Sequence, residues 1–170
     1  MSKVFIVLGM HRSATSLAAK GLIKSGIYMG KQLLPANKDN SYGYWEDVDF
    51  ITMNTAILKK AGGSWENPPS EENIINAGKF FKREIKELIR IKSKGKEFWG
   101  WKDPRTTLTI KCYLKYLENP HFIVCFRETE KIAESLRKRN HFSKKKCIEL
   151  ANEYNLRLLS FIKEWYGFKS

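Results

Sequence analysis

Residues 3–26 read KVFIVLGMHRSATSLAAKGLIKSG. An apolar run stops at Gly9, gives way to His11, Arg12, Ser13, Ala14, Thr15 and Ser16, and then turns apolar again. The run Lys3–Leu8 has the length and the β-branched content of a buried strand. Residues Ser13–Ser25 place Leu17, Ala18, Gly21 and Leu22 at helical spacing, and Gly26 closes them. A loop between a buried strand and a helix belongs to an α/β architecture, where ligands bind at the carboxyl ends of the strands. The N–H groups opening the helix are suited to an oxyanion, small residues let it approach the backbone, and Ser13, Thr15 and Ser16 add hydroxyls. The loop therefore reads as a phosphate site.

Two more short buried runs follow, Phe98–Trp101 and His121–Phe126. Helical patterns separate and follow them. Asp47–Lys60 places Val48, Ile51 and Leu58 on one side. Ser70–Lys94 begins with Glu71 and Glu72 at its positive end and places Ile74, Phe81, Ile85 and Leu88 on one face. Thr107–Leu117, Thr129–Arg139 and Lys144–Trp165 complete the set. Strands that are buried throughout and alternate with helices predict a small parallel sheet flanked by helices, in one domain over 1–170.

The chain carries 31 Lys and Arg against 18 Asp and Glu, a net charge of +13. Residues 1–70 hold 8 basic and 5 acidic residues and residues 71–170 hold 23 and 13, so the excess is late. Such a balance fits a polyanionic partner: nucleic acid, an acidic membrane surface or a ligand with several phosphates. Cys112, Cys125 and Cys147 are odd in number and lack metal-type spacing, which reads as reduced, structural thiols. No run approaches a membrane span or a signal-peptide core, and the expected location is cytoplasmic.

The opening loop is not the usual nucleotide-triphosphatase loop. Counted from Gly9, that pattern needs glycine and lysine just before Ser16, where this chain has Ala14 and Thr15. Later, WGWKDPRTTL ends a short strand at Lys102, Asp103 and Arg105, and Pro104 stops the strand there. Lys102 is expected to point into the crevice and Asp103 to sit in a surface turn with a local partner. In HFIVCFRETEKIAESLRKRN a strand runs into Arg127, and Ser135 lies eight residues on, so the two can share one anion. The run Arg137–Arg139 reads as a solvated face.

Together these stretches resemble the sulfotransferases that use 3′-phosphoadenosine 5′-phosphosulfate. GMHRSATSL resembles that family's loop for the 5′-phosphosulfate, and FRETEKIAESL its 3′-phosphate element, with Arg127 and Ser135 at the matching positions. KDPRT is similar to the lysine-bearing segment of the tyrosylprotein and carbohydrate branches, and NSYGYWEDVDF to a segment of bacterial members. The resemblance spans residues 3–165 and implies a P-loop-like, three-layer α/β fold. It also implies sulfuryl transfer to a hydroxyl or amine acceptor, without a metal. Ala14 stands where many members have glycine, which alanine can replace if the residue has helical angles. The sequence ends in EWYGFKS, where longer members continue into another strand and a segment that helps cover the adenine.

On this resemblance Gly9, His11, Arg12, Ser13, Ala14, Thr15, Ser16, Arg127 and Ser135 hold the nucleotide. Arg12 and Lys102 neutralise charge on the sulfuryl oxygens and the leaving phosphate, and Glu46 is the general base. The competing role for Glu46 is to start the next helix; Asp47 and Asp49 are fallback bases, with helix capping their other role. Tyr42, Tyr44, Trp45 and Trp65 are candidates to line an acceptor pocket, whereas Trp99 and Trp101 read as core. Two other readings stay open: a P-loop-like small-molecule kinase, weakened by the missing lysine, and a basic nucleic-acid-binding module, for which no motif is present.

Overall fold

The computed structural model describes residues 2–36 and 43–167. Three parallel strands, β1 (Lys3–Leu8), β2 (Phe98–Lys102) and β3 (Pro120–Val124), form one sheet in the order β2-β1-β3. The most apolar run takes the centre, where both of its edges are paired. Val4, Ile6, Val7 and Leu8 are completely buried. Around the sheet lie α1 (Thr15–Lys24), α2 (Val48–Lys60), α3 (Glu71–Phe80), α4 (Lys82–Ser93), α5 (Thr106–Thr109), α6 (Thr129–Asn140) and α7 (Lys144–Tyr166).

The pleat of β1 divides the interior in two. Val4, Ile6 and Leu8 join the main core with Phe50, Trp99, Trp101, Tyr113, Ile132, Tyr154 and Phe161. Val7 joins a smaller one with Ala19 of α1 and Met29. Alternation of side chains across a strand is what sends neighbours into separate cores. In the main core Phe50 stacks on Trp101 with ring centroids 4.1 Å apart. Truncating such an aromatic costs about 3–5 kcal/mol.

Several elements depart from the sequence expectation. Residues 70–94 form two helices, which meet at Phe81 (φ −99°, ψ 17°). The apolar stripe keeps its phase across the break, so periodicity does not reveal it. Residues 107–117 form only the four-residue α5 and two 3-10 turns, Ile110–Cys112 and Leu114–Tyr116. Thr106, Thr107 and Thr109 are β-branched, and their hydroxyls bond to Asn54, Trp101 and Gly9 across the core. Those partners compete with a regular helix. On α2 the buried side is Phe50, Asn54, Ile57 and Leu58, while Val48 and Ile51 are half-buried. On α1, Leu17 is not packed inward but 72% exposed.

All three cysteines are free, with Cys112 and Cys147 buried. Burial pushes the Cys112 thiol up to about 11. Among the described residues no helix is long and apolar enough to cross a membrane, and no group of three or more His, Cys, Asp and Glu could hold a metal ion.

Candidate functional site

Gly9 leaves β1 with φ 150°, and a Cβ on it would lie 2.6 Å from the carbonyl oxygen of Cys125. Only glycine lets the chain turn there between β3 and α5. Its N–H donates to Thr107 Oγ1 at 2.9 Å, and the same hydroxyl lies 3.2 Å from the Gly9 carbonyl. Ser13 is buried, and both its N–H and its hydroxyl donate to the Met10 carbonyl. Gly9 and Ser13 thus shape the loop from inside. Arg12 and Ala14 have φ of 70° and 66°. Ala14, the residue before α1, is left-handed rather than helical, contrary to the condition under which alanine would replace glycine freely. A Cβ in that region costs roughly 1–2 kcal/mol.

The loop and α1 form one wall of a cavity of about 640 Å³. His11, Arg12, Ala14, Thr15 and Ser16 line it, joined by Leu17, Lys20, Gly21 and Lys24 along one face of α1. Tyr44, Trp45, Lys102, Pro104, Arg127 and Arg139 complete the lining. Among the described residues that line it, six are Lys or Arg and none is Asp or Glu. Arg12 Nε donates to Ser135 Oγ at 2.7 Å, and Arg127 Nη1 donates to the Arg12 carbonyl at 2.7 Å; Arg12 and Arg127 line the cavity, and Ser135 does not. Residues 115 and 123 positions away in the chain therefore both meet Arg12, one at its carbonyl and one at its side chain.

Lys102 ends β2 and is 2% exposed. Its Nζ donates to Glu46 Oε1 at 2.7 Å, to the Tyr44 carbonyl at 3.0 Å and to Ser16 Oγ at 3.4 Å. Glu46 lies behind it, outside the lining, and its other oxygen is 3.6 Å from Arg105 Nη1. Burial pushes the Glu46 carboxyl up against the pull of Lys102, and the same burial pushes the Lys102 ammonium down against Glu46. Glu46 and Asp47 pair with residues 32–34 in an extended stretch: Leu34 N–H donates to the Glu46 carbonyl and Val48 N–H to that of Gln32. Successive side chains there go to opposite sides. Asp47 accordingly turns away to Lys92, at 2.6 and 2.8 Å, and caps α2 by accepting from Asp49 N–H at 2.9 Å. Asp49 joins the same Lys92 at 2.6 Å.

Asp103 corrects another expectation. It is completely buried rather than in a surface turn, accepting from Asn54 Nδ2 at 2.8 Å and from Arg105 Nη1 at 2.8 Å. Asn54 also accepts from Thr109 and Tyr113, each at 2.7 Å. This satisfied network holds the 102–107 turn against α2, and nothing in the sequence marked Asn54 as its centre.

His11 is 7% exposed, with its ring 4.5 Å from that of Trp65 and 6.4 Å from that of Tyr154. Burial first, then Arg105, Arg139, Lys102 and Arg12, hold its pKa well below the usual histidine value. Its Nε2 is buried without a hydrogen-bond partner. Of the aromatic candidates, Tyr44 and Trp45 line the cavity; Trp65 lies behind His11, and Tyr42 falls outside the described residues. Three lining cations were not singled out in the sequence. Lys20 and Lys24 follow Ser16 at intervals of four, a legible helical face. Arg139 belongs to the run read as solvated, and only its neighbours Arg137 and Lys138 are exposed.

Comparison with protein-family models, with curated proteins and with solved structures finds no match to this chain.

Proposed function

We propose that the cavity binds 3′-phosphoadenosine 5′-phosphosulfate and that the protein transfers its sulfuryl group to a hydroxyl or amine acceptor. The observation that carries this reading is that Arg12, which lines the cavity, bonds to both Ser135 and Arg127, and that among the described residues the cavity is lined by six cations and no carboxylate. Arg127 and Ser135 take the 3′-phosphate. Arg12, Ser16 and the start of α1 take the 5′-phosphosulfate. The parallel sheet with its loop after the central strand is, on this reading, a reduced P-loop-like architecture of three layers.

In the transfer, an acceptor oxygen or nitrogen bonds to sulfur, the bond from sulfur to the bridging phosphate oxygen breaks, and adenosine 3′,5′-bisphosphate leaves. Lys102 faces the growing charge on the bridging oxygen. Glu46 is the terminal base. Burial moves its proton affinity and that of Lys102 toward each other, so Lys102 can pass a proton back to Glu46 and receive the acceptor's. Tyr44 and Trp45 flank the acceptor.

Calorimetric titration with adenosine 3′,5′-bisphosphate, AMP, ATP and a short DNA duplex tests the assignment. The bisphosphate should bind more tightly than AMP or ATP by tenfold or more, since a charge-assisted contact is worth about 1.5–3 kcal/mol. Exposed Arg127 changed to Ala should abolish that preference and leave the fold intact. Equal affinity for AMP and the bisphosphate sinks the reading. Preferential duplex binding that weakens steeply with salt would put a nucleic-acid module in its place.

A further inference from the structure

The two outer edges of the sheet differ. Beyond β2, Tyr28 N–H donates to the Phe98 carbonyl at 3.2 Å and Gly100 N–H to the Tyr28 carbonyl at 2.8 Å, so that edge is covered. β3 is paired on one side only, with β1. In a parallel ladder alternate residues of a strand bond to opposite sides. Val4 N–H donates to the Asn119 carbonyl and Cys125 N–H to the Leu8 carbonyl, so odd-numbered residues serve β1 while Pro120, Phe122 and Val124 turn their backbone outward. Among the described residues no hydrogen bond reaches the Phe122 and Val124 N–H groups there. Residues 120–126, PHFIVCF, include no Lys, Arg, Asp or Glu, although 29% of the chain is charged. Such an edge lacks the charges that ordinarily keep sheets from pairing edge to edge.

α7 extends this surface. It runs antiparallel to β3: Asn155 Nδ2 donates to the Arg127 carbonyl at 3.4 Å, and the rings of Phe161 and Trp165 lie 5.0 and 5.2 Å from that of Phe122. Asn155 and Asn152, which accepts from Thr129 at 2.8 Å, mark the side of α7 toward the open edge. Arg157 and Glu164, bonded to the Pro69 carbonyl and to Lys111, mark the opposite side. Leu159, Ile162 and Tyr166 continue the first side at helical spacing, and Leu159 and Tyr166 are exposed. Phe126, Trp165 and Tyr166 are near half exposed, each leaving about 100 Å² of aromatic surface uncovered. Doubled across a two-fold axis, and with Leu159 and the half-buried Phe122, Ile123 and Val124, this approaches the roughly 1,000 Å² of a specific interface.

We propose that β3 pairs antiparallel with β3 of a second copy of this chain about a two-fold axis at Ile123, flanked by the Leu159–Tyr166 side of α7. The edge itself specifies that occupant. Phe122 N–H donates to the partner's Val124 carbonyl, Val124 N–H donates to the partner's Phe122 carbonyl, and the symmetry repeats both. Every outward N–H of the two strands is then satisfied, and Pro120, which has none to lose, falls opposite the partner's Phe126. Each copy carries a net charge of +13, a repulsion that salt screens, so association should tighten as salt rises. The inference does not depend on the reading of the cavity.

The test is the solution mass by light scattering and sedimentation over a dilution series at low and high salt. Wild-type protein should show twice the chain mass of 19.8 kDa and dissociate on dilution. Val124→Pro removes only an outward N–H and should weaken the dimer about tenfold or more while the β1–β3 ladder stays folded. Leu159→Glu, at an exposed position of α7, should weaken it without touching the strand, which keeps the test valid if the proline variant does not fold. Ile123→Cys faces its own copy across the axis and should crosslink under mild oxidation, whereas native Cys125, opposite the partner's His121, should not. A wild-type monomer at every concentration, or a dimer that Leu159→Glu leaves unchanged, overturns the inference. So does an Ile123→Cys protein that dimerises without crosslinking, or a dimer that needs added nucleic acid and falls apart in salt. The preference for the bisphosphate over AMP is read separately, so either proposal can fail while the other stands.

Discussion

Glu46 and Asp47 are adjacent, both are buried, and each is paired with a lysine, yet the two pairs occupy different worlds. Lys102, the partner of Glu46, is drawn down by burial and lines the cavity. Lys92 is also opposed by burial, but its bonds to Asp47 and Asp49 outweigh that and raise its pKa. Two carboxylates close around Lys92, and Asp47 spends the rest of its capacity capping α2. That site is electrostatically complete. On the other side one carboxylate, Glu46, is shared between Lys102 and Arg105, and Lys102 also reaches Ser16 of the loop after β1. The two buried ion pairs thus differ in that only the Lys102 cation opens on the cavity.

The largest expected difference comes from neutralising the two acids in turn. Asp47→Asn leaves Lys92 buried without its main partner and should cost about 3–5 kcal/mol in denaturant unfolding, while bisphosphate affinity of the folded protein stays near wild type. Glu46→Gln should keep bisphosphate affinity and lower turnover by about 10²–10⁴, read as sulfate released from the donor to water or to an acceptor once found. If Asp47→Asn loses turnover and Glu46→Gln only stability, the comparison is reversed.

A sharper version targets the cations. Lys102→Met should lower turnover by about 10²–10³, the usual loss of a positioned charge-stabilising donor. Lys92→Met should alter stability alone. The smallest effect lies in the loop that Lys102 reaches through Ser16. Ala14→Gly relieves a left-handed Cβ but loosens the unfolded chain, so the net gain should be no more than about 1 kcal/mol, a rise of roughly 2–4 °C in Tm. A loss of stability on that change would show that the left-handed turn is not strained.

The strands and the loop were legible because their signals are local. Continuous runs of four to six residues, each ended by glycine or charge, predicted the three parallel strands with little help from context, although β3, an edge strand, is half-buried rather than buried as expected. GMHRSATS lies directly after one of them, Lys102 ends the second, and Arg127 lies three residues past the end of the third, so the carboxyl-end rule located the crevice. The α3–α4 break was not legible, since its apolar stripe runs through Phe81 in phase. The short α5 was hidden as well: its threonine hydroxyls have partners fifty and a hundred residues away.

The sequence by itself thus determined the class of fold, its three strands and the loops at their carboxyl ends that line the cavity, because those follow from hydrophobic period and from residues a few positions apart. Tertiary structure alone decided that Arg12, Arg127 and Ser135 touch, that Asp103 is buried against Asn54 and that Arg139 turns inward. It also decided that His11 is left with an unpaired nitrogen among four cations. The physical reason is that electrostatics and hydrogen bonding depend on separations of a few ångströms through space, and for residues a hundred positions apart only the packed chain sets those distances.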